Sequence, residues 1–276
     1  MFRRVRRKAP AACQNQKTMP AALITGASTG IGRELAYIAA ENGYDVALVA
    51  RTAGPLQGVA DDVARKTSRK AHIFAADLAQ PNAARALIAD VAQAGLTIDV
   101  LVNNAGFGLL GHFWDLPEDQ QMQMLQLNIG ALTQLTRLYL PDMIERRTGY
   151  ILNIASTAAF QAGPLMAVYY ASKAYVVSFS EALHNEAKEF GVKVSCLCPG
   201  PTRTEFDKRA GITNAKLFKG SHVMSAVEVA QIGWQAMKEG KPLAVAGRLN
   251  AAMAFLTRFA PRQMAAGMAR AMQETK

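Results

Sequence analysis

The sequence predicts a doubly wound α/β fold: one parallel sheet of about seven strands with helices on both faces. Two observations support this. Short, apolar, β-prone runs alternate with longer stretches of helical periodicity, and no internal repeat or low-complexity linker interrupts them. A chain of 276 residues, 50% of them hydrophobic, can bury one large core and needs no second domain.

The predicted strands lie, in chain order, near residues 21–25, 45–50, 71–76, 98–102, 149–154, 192–197 and 243–247. Helical patterns fill most of the gaps. In the long pattern over 118–147, Pro141 is expected to kink or break the last turns, because proline has no backbone N–H. The longest irregular stretch, 198–225, follows the sixth strand, at the carboxyl edge where open α/β sheets bind ligands.

A glycine-rich turn joins the first predicted strand to the first helical pattern. Such a turn lets a pyrophosphate approach the backbone, and the N–H groups at the helix start attract its charge, as in Rossmann-type folds. The spacing differs from G-x-G-x-x-G, so a purely structural glycine turn is the alternative for this segment alone. The predicted cofactor-binding residues here are Thr25, Gly26, Ser28, Thr29, Gly30, Ile31 and Gly32.

The end of the second strand indicates which dinucleotide would bind. An NAD site places an acid there for the ribose 2′-hydroxyl, but this chain has Arg51, whose guanidinium suits a 2′-phosphate. NADPH is therefore predicted over NADH, unless Arg51 is only a solvated loop residue. Asp77, at the end of the third strand, is predicted either to accept from the adenine amino group or to cap the following helix.

Further motifs follow in order. Asn103-Asn104-Ala105-Gly106 comes after the fourth strand, Asn128 lies in the long helical stretch, and Ser156 follows the fifth strand. Tyr169-x-x-x-Lys173 and then Pro199-Gly200-x-x-x-Thr204 complete the series. With the glycine turn, these motifs resemble the short-chain dehydrogenase/reductase family, in its short single-domain branch, over residues 21–204.

This resemblance implies a catalytic group and more cofactor contacts. The implied catalytic residues are Asn128, Ser156, Tyr169 and Lys173. Asn128 would hold a water that links Lys173 to solvent. The implied cofactor contacts beyond the glycine turn are Asn104, Ala105, Gly106, Tyr169, Lys173, Pro199, Gly200, Thr202 and Thr204.

Elementary chemistry gives the central residues their tasks. Tyr169 and Lys173 stand four apart on a helix and share a face, so the ammonium is expected to lower the pKa of the phenol from about 10. Tyr169 would be the general acid in reduction and the base in oxidation, while Ser156 donates to the carbonyl oxygen. Tyr170 points about 100° away and is expected to pack.

The predicted function is hydride transfer between NADPH and a carbonyl or secondary alcohol of a medium-sized, partly apolar substrate. Residues 163–167 and 201–225 are expected to border that substrate. A dehydrogenase running mainly toward oxidation is one alternative. The other, from a different class, is an NADPH-binding redox sensor without turnover.

Charge and cysteine usage limit the partners. The formal charge of +10 arises at the two ends, and the body between them is balanced, so a nucleic-acid surface is not predicted. Cys196 and Cys198 alternate in an apolar run, which indicates a buried strand with free thiols in a reducing, cytoplasmic setting. The histidines show no metal-ligand spacing, so no metal is expected.

The two ends flank the predicted NADP-binding catalytic domain, residues 19–247, and the C-terminal end is interpreted as part of the same domain. Residues 1–18 are interpreted as a basic flexible tail or a misassigned start. Residues 248–276 are interpreted as an amphipathic helical extension, with one stripe from Leu249 to Phe259 and another of Met264, Met268 and Met272. Three roles stay open for the extension: packing on the domain or on a second subunit of a homo-oligomer, a wall over the substrate, or weak peripheral membrane contact.

Overall fold

A computed structural model describes residues 19–206 and 223–274. The predicted tail (1–18) lies outside the described residues. So do residues 207–222 of the stretch expected to border the substrate.

The strands alternate with helices along the chain. They are β1 (Pro20–Thr25), β2 (Asp45–Ala50), β3 (Ala71–Ala75), β4 (Thr97–Asn103), β5 (Gly149–Ile154), β6 (Val192–Cys198), β7 (Thr202–Arg203), β8 (Met224–Ser225) and β9 (Leu243–Val245). Seven of them form one parallel sheet in the order β3-β2-β1-β4-β5-β6-β9, which confirms the predicted fold class. The short β7 and β8 pair with each other.

The helices cover both faces of the sheet. They are α1 (Gly30–Glu41), α2 (Ala53–Lys66), α3 (Ala83–Gln93), α4 (Glu118–Leu125), α5 (Leu132–Arg146), α6 (Ala167–Ala187), α7 (Ala226–Glu239), α8 (Arg248–Leu256) and α9 (Arg262–Gln273). A π-helical turn, Gln126–Ala131, joins α4 to α5, and a 3-10 turn, Thr157–Phe160, follows β5.

Strand β1 shows how the two-sided core forms. Ala22 and Ile24 pack into the cluster that includes α1, α2 and α7, whereas Ala21 and Leu23 pack into the cluster that includes α3 and α5. Because successive side chains point to opposite faces, a strand buried on both sides must be apolar throughout. The strand order reverses between β1 and β4, and this places a crevice at their carboxyl ends.

The expectation that Pro141 kinks or breaks the helix is wrong as to a break, because α5 continues through Pro141 to Arg146. Proline removes the hydrogen bond to the carbonyl four residues earlier, which belongs to Arg137. Both residues are exposed, so water can satisfy that carbonyl. The helix therefore continues through Pro141 on its solvent-exposed side.

Two further features concern the cysteines of β6 and the apolarity of the helices. Cys196 and Cys198 are free and buried on β6, as their alternation predicts. Within residues 19–206 and 223–274, no helix combines the length and the apolarity that crossing a bilayer requires.

Candidate active site

The glycine turn between β1 and α1 has the backbone geometry that its sequence predicts. Gly26 and Gly30 have φ angles of +67° and +57°, in the left-handed region that favours glycine. Thr29 is extended and precedes the first turn of α1. The N-terminus of α1 is thereby directed toward the crevice, which is how a helix start accommodates a phosphate.

Thr25 and Asn104 fix this turn to β4. The Thr25 hydroxyl accepts from the backbone N–H groups of Asn104 (2.9 Å) and Ala105 (3.0 Å), and it donates to Val102 O (3.2 Å). The Asn104 side-chain amide donates to the carbonyl oxygens of Thr25 (2.8 Å) and Gly26 (3.2 Å). Thr25 is buried and braces the turn, and its direct contact with a cofactor stays a prediction.

Gly32, in the first turn of α1, packs closely against the glycine turn. A Cβ atom at this position would lie 2.3 Å from Gly26 O and 2.4 Å from the Asn104 amide nitrogen. Glycine is required because α1 passes so close to the end of β1. Gly32, like Thr25, does not line the crevice; the structure shows it in a packing role, and its contact with a cofactor stays a prediction.

We expect Gly32→Ala to lower the free energy of unfolding by about 1 to 3 kcal/mol, because the added methyl must displace backbone. NADPH affinity should fall at least about tenfold as the turn distorts. Chemical denaturation and fluorescence titration measure the two effects. The matched control is Gly58→Ala on α2, where nothing lies within 4 Å of an added Cβ. Equal behaviour of the two variants would contradict the assignment.

A cavity of about 730 Å³ extends from the glycine turn to the predicted catalytic residues. Its volume is typical of sites that enclose a small molecule or a cofactor, about 300 to 1,000 Å³. Ser156, Tyr169 and Lys173 line it at one end. The other predicted residues that line it are Gly26, Ser28, Thr29, Gly30, Ile31, Arg51, Asp77, Asn104, Ala105, Gly106, Pro199, Gly200, Thr202 and Thr204.

Arg51 and Asp77 both line the cavity, but they differ in their hydrogen bonds to the rest of the protein. The exposed Arg51 makes no hydrogen bond or ion pair with any residue that the structure describes. Asp77 accepts from Ala79 N (3.1 Å) and from the Gln80 amide (3.0 Å), so it closes a short turn. The alternative that Asp77 caps the next helix is wrong, because Asn82 precedes α3.

The loop after β6 reaches back to the glycine turn. The Thr202 hydroxyl donates to Gly200 O (2.9 Å), and a Cβ on Gly30 would lie 3.1 Å from the Thr204 methyl. Gly200 packs against Asn250 of α8, where a Cβ would be 2.3 Å from the amide nitrogen. This loop therefore connects the turn to the C-terminal helices.

Ser156, Tyr169 and Lys173 are brought together by β5 and α6. Ser156 follows β5, and its hydroxyl accepts from Ala158 N (3.1 Å). Lys173 is buried; its Nζ donates to Ile154 O (2.9 Å) and lies 5.8 Å from the centroid of the Tyr169 ring. The four-residue spacing on α6 thus places the phenol and the ammonium side by side, as predicted.

The acid–base properties differ from the expectation. Burial raises the pKa of Tyr169 above its ordinary value, and the hydrogen-bonded hydroxyl of Ser156 acts in the opposite direction. The predicted lowering of this pKa is wrong for the protein residues alone, because removing the phenol from water outweighs its hydrogen bond with Ser156. Burial also lowers the pKa of Lys173, to about 8.

Asn128 lies in the π-helical turn between α4 and α5 and is buried. Its Oδ1 accepts from Phe107 N (3.2 Å), and its Nδ2 donates to Phe107 O (3.0 Å) and to the Ser172 hydroxyl (3.1 Å). A Cβ on Gly106 would lie 2.9 Å from Asn128 Oδ1 and 3.5 Å from Lys173 Nζ. Asn128 is thus a neighbour of Lys173 but does not line the cavity, and its link to a water stays a prediction.

The C-terminal helices contribute residues that the sequence reasoning missed. Gln273 of α9 is buried, and its amide donates to the Tyr170 hydroxyl at 2.5 Å. Ala269 packs in the same cluster as Tyr169 and Tyr170. The stripe Ala265, Ala269 and Gln273 has helical spacing and could have signalled this contact. Tyr170 packs as expected, and Gly163 accommodates its ring.

A family model described as "short chain dehydrogenase" matches residues 20–215. The chain belongs to the short-chain dehydrogenase/reductase family. It therefore belongs to a family of oxidoreductases that act on alcohol and carbonyl groups and use a nicotinamide cofactor.

Two curated relatives and one solved structure are similar along most of this dehydrogenase/reductase. A very-long-chain 3-oxoacyl-CoA reductase of Anas platyrhynchos is 35% identical over 226 residues, 79% of this chain and 70% of the relative. The 17-beta-hydroxysteroid dehydrogenase type 3 of Homo sapiens is 37% identical over 190 residues, 68% of this chain and 60% of the relative. A short-chain dehydrogenase from Sphingobium yanoikuyae in complex with NADPH superimposes with a TM-score of 0.77 at 29% identity, over 88% of this chain and 97% of that one.

Proposed function

We propose that this chain is an NADPH-dependent oxidoreductase that transfers a hydride between the nicotinamide and a carbonyl, or the corresponding secondary alcohol, of a medium-sized, partly apolar substrate. The observation that carries the proposal is the shared cavity. Ser156, Tyr169 and Lys173 line it at one end, and the glycine turn lies at the other. A phosphate-binding turn and an acid–base pair serve one reaction only when a single ligand-sized space joins them.

The residues present fit a dinucleotide. Gly26 and Gly30 keep side chains out of the turn, so a pyrophosphate can reach the N–H groups at the start of α1. Arg51 and Asp77 would hold the adenosine end, and the loop from Pro199 to Thr204 would border the nicotinamide. When bound, the nicotinamide exchanges a hydride with the carbonyl carbon of the substrate.

The protein residues handle the proton. In reduction, the Tyr169 hydroxyl donates a proton to the carbonyl oxygen, and the Ser156 hydroxyl donates a hydrogen bond to the same oxygen. Because burial raises the pKa of Tyr169, the phenol is protonated at neutral pH, the form that reduction needs. The Lys173 ammonium, with a pKa of about 8, stabilises the phenolate that remains.

The substrate end of the cavity supports an apolar body on the carbonyl. Its apolar lining includes Phe107, Met166, Phe206, Met253 and Met272. Methionine adapts to varied ligand shapes because its side chain is unbranched and flexible. The names of the two relatives point to two such substrates, a long 3-oxoacyl thioester and a steroid ketone.

Consumption of NADPH tests the proposal. The purified protein is assayed with a long-chain 3-oxoacyl-CoA, a 17-ketosteroid and cyclohexanone as a small ketone. We expect kcat/KM for at least one large substrate to exceed that for cyclohexanone by about tenfold or more, since burial of each CH₂ contributes about 0.8 kcal/mol. Tight NADPH binding without turnover of any of the three substrates, or of an aldehyde and a quinone added to the same assay, would instead favour the redox sensor.

Arg51→Asp tests the cofactor preference. The variant removes a charge-assisted contact worth about 1.5 to 3 kcal/mol and places a carboxylate beside the 2′-phosphate, so preference should shift toward NADH by about tenfold to 150-fold. Titration of both cofactors into both proteins measures the shift. Arg85→Asp, an exposed change on α3 away from the cavity, is the control. A parent protein that prefers NADH would refute the assignment before any mutation.

Compartment and assembly belong to the same proposal. We place the enzyme in the cytoplasm because the described cysteines are free and buried, which suits a reducing compartment. A homo-oligomer and the division between catalytic domain and extension at residue 247 stay predictions. Sedimentation analysis of the full chain measures the first.

A further inference from the structure

The two C-terminal helices and the turn between them expose an unusual amount of apolar surface. Fourteen large hydrophobic side chains are exposed in the described residues, and seven of them fall between residues 249 and 268. We call these seven the apolar face; its members are Leu249, Met253, Phe255, Leu256, Phe259, Met264 and Met268. Such a concentration marks an interaction surface, whereas scattered apolar residues need no explanation.

Both helices already pack on the domain through a separate set of residues. On α8 the buried residues are Asn250 and Ala254, and on α9 they are Ala265, Ala269 and Gln273. Alanine and amide side chains thus make the contact with the domain. The large apolar ones point elsewhere, so packing of the methionine stripe on the domain is wrong for Met264 and Met268, which are 57% and 58% exposed. Packing of this stripe on a second subunit stays a prediction.

Arginines accompany the apolar face. Arg248, Arg258, Arg262 and Arg270 are all exposed, and Arg258 lies 6.0 Å from the centroid of the Phe255 ring. Within residues 248–274 the sequence has one acid, Glu274, which pairs with Arg270. The segment is therefore both apolar and strongly cationic.

The apolar face also surrounds the entrance of the active-site cavity. Leu249, Met253, Leu256 and Met268 belong to the exposed set and at the same time line the cavity. Their side chains therefore lie at its rim. Whatever covers the apolar face has direct access to the site.

We propose that the apolar face docks on the surface of an anionic lipid bilayer. Aromatic and aliphatic side chains enter the boundary between headgroups and acyl chains, and the arginines meet anionic headgroups. A second copy fits less well, because a symmetric dimer sets the same patch against itself and would bring the arginines of both copies together. Docked in this way, the cavity opens toward the bilayer, from which an apolar substrate can enter without crossing water.

Binding of the full chain to vesicles tests the proposal without reference to activity. Vesicles of phosphatidylcholine alone are compared with vesicles that also contain phosphatidylglycerol, at low and high salt. We expect binding to the anionic vesicles that weakens strongly from about 0.05 M to about 0.5 M salt, since exposed charges are then screened. If the chain does not bind the phosphatidylglycerol-containing vesicles even at low salt, the proposal is overturned.

Residues 1–18 are also basic, so the decisive variant must change no charge. Phe259→Ser removes a side chain that is 72% exposed, and we expect it to weaken binding about tenfold. The control is Phe190→Ser, before β6, where the side chain is 38% exposed and outside the apolar face. If the two variants bind equally, the basic tail rather than the apolar face is responsible, and the proposal fails.

A second pair of variants tests the charges. Each arginine near an anionic surface strengthens binding by a factor of about five, so Arg258→Gln with Arg262→Gln should weaken it about 25-fold. Arg85→Gln with Arg137→Gln, both exposed on α3 and α5, should leave it unchanged. Sedimentation of the parent protein and of Phe259→Ser measures the oligomeric state and tests the alternative that a second copy covers the apolar face. A dimer that the variant converts to a monomer would assign the apolar face to a second copy and overturn the bilayer.

Discussion

Tyr169→Phe should lower the turnover of the best carbonyl substrate by about 10² or more and leave NADPH affinity within about threefold. The hydroxyl supplies the proton that the carbonyl oxygen takes up, and phenylalanine cannot replace it. The ring still fills its place beside Phe206, whose centroid lies 5.5 Å away. Steady-state kinetics and a cofactor titration measure the two quantities.

The neighbouring tyrosine provides the control. Tyr170 is equally buried, but its hydroxyl is engaged by Gln273 instead of Ser156. Tyr170→Phe should therefore keep turnover within about threefold and lower the free energy of unfolding by about 1 kcal/mol, since the Gln273 amide loses its acceptor. Turnover that survives in Tyr169→Phe but fails in Tyr170→Phe would reverse the assignment of the general acid.

Lys173→Met should abolish turnover and stabilise the protein. Burial lowers the pKa of Lys173 to about 8, which means that folding disfavours its charged form. A lysine with an ordinary pKa near 10.4 therefore destabilises the folded state at neutral pH. Methionine removes this penalty but also the hydrogen bond to Ile154 O, so we expect a gain of about 2 kcal/mol at pH 7.

The pH dependence distinguishes this cause from better packing. Below pH 8 the lysine is charged in both the folded and the unfolded chain, and the full penalty is present. Between pH 8 and about 10.4 the folded chain has released the proton while the unfolded chain keeps it, so the stability of the parent rises. The advantage of Lys173→Met should shrink over that range. Chemical denaturation at pH 7 and pH 10 measures it, with the exposed Lys188→Met as the control; an advantage independent of pH would contradict the explanation.

The sequence by itself was sufficient for the sheet and for most of the candidate site. Parallel strands buried on both faces must be apolar throughout, so their positions could be predicted to within two residues. Motifs that follow strands of a parallel sheet meet at one edge, and this is why Ser156, Tyr169 and the glycine turn could be expected on one cavity. The local sequence pattern predicts the strands, and the parallel direction of the strands brings the motifs that follow them to one edge of the sheet.

Only the tertiary structure decided three features that the sequence pattern leaves ambiguous: the packing face of α9, the roles of Thr25 and Gly32, and the pKa of Tyr169. On α9 the methionine stripe and the stripe Ala265, Ala269 and Gln273 have the same spacing and differ by one residue, so periodicity cannot tell which one faces the domain. The domain contacts the stripe with Ala269 and Gln273, because Ala269 packs in the cluster of Tyr169 and Tyr170 and the Gln273 amide donates to the Tyr170 hydroxyl. In the same way, Thr25 and Gly32 brace the turn without lining the cavity, because both contact Asn104, which lies far from them in sequence. The pKa of Tyr169 depends on how completely the fold removes water from it, and only the assembled tertiary structure determines that burial.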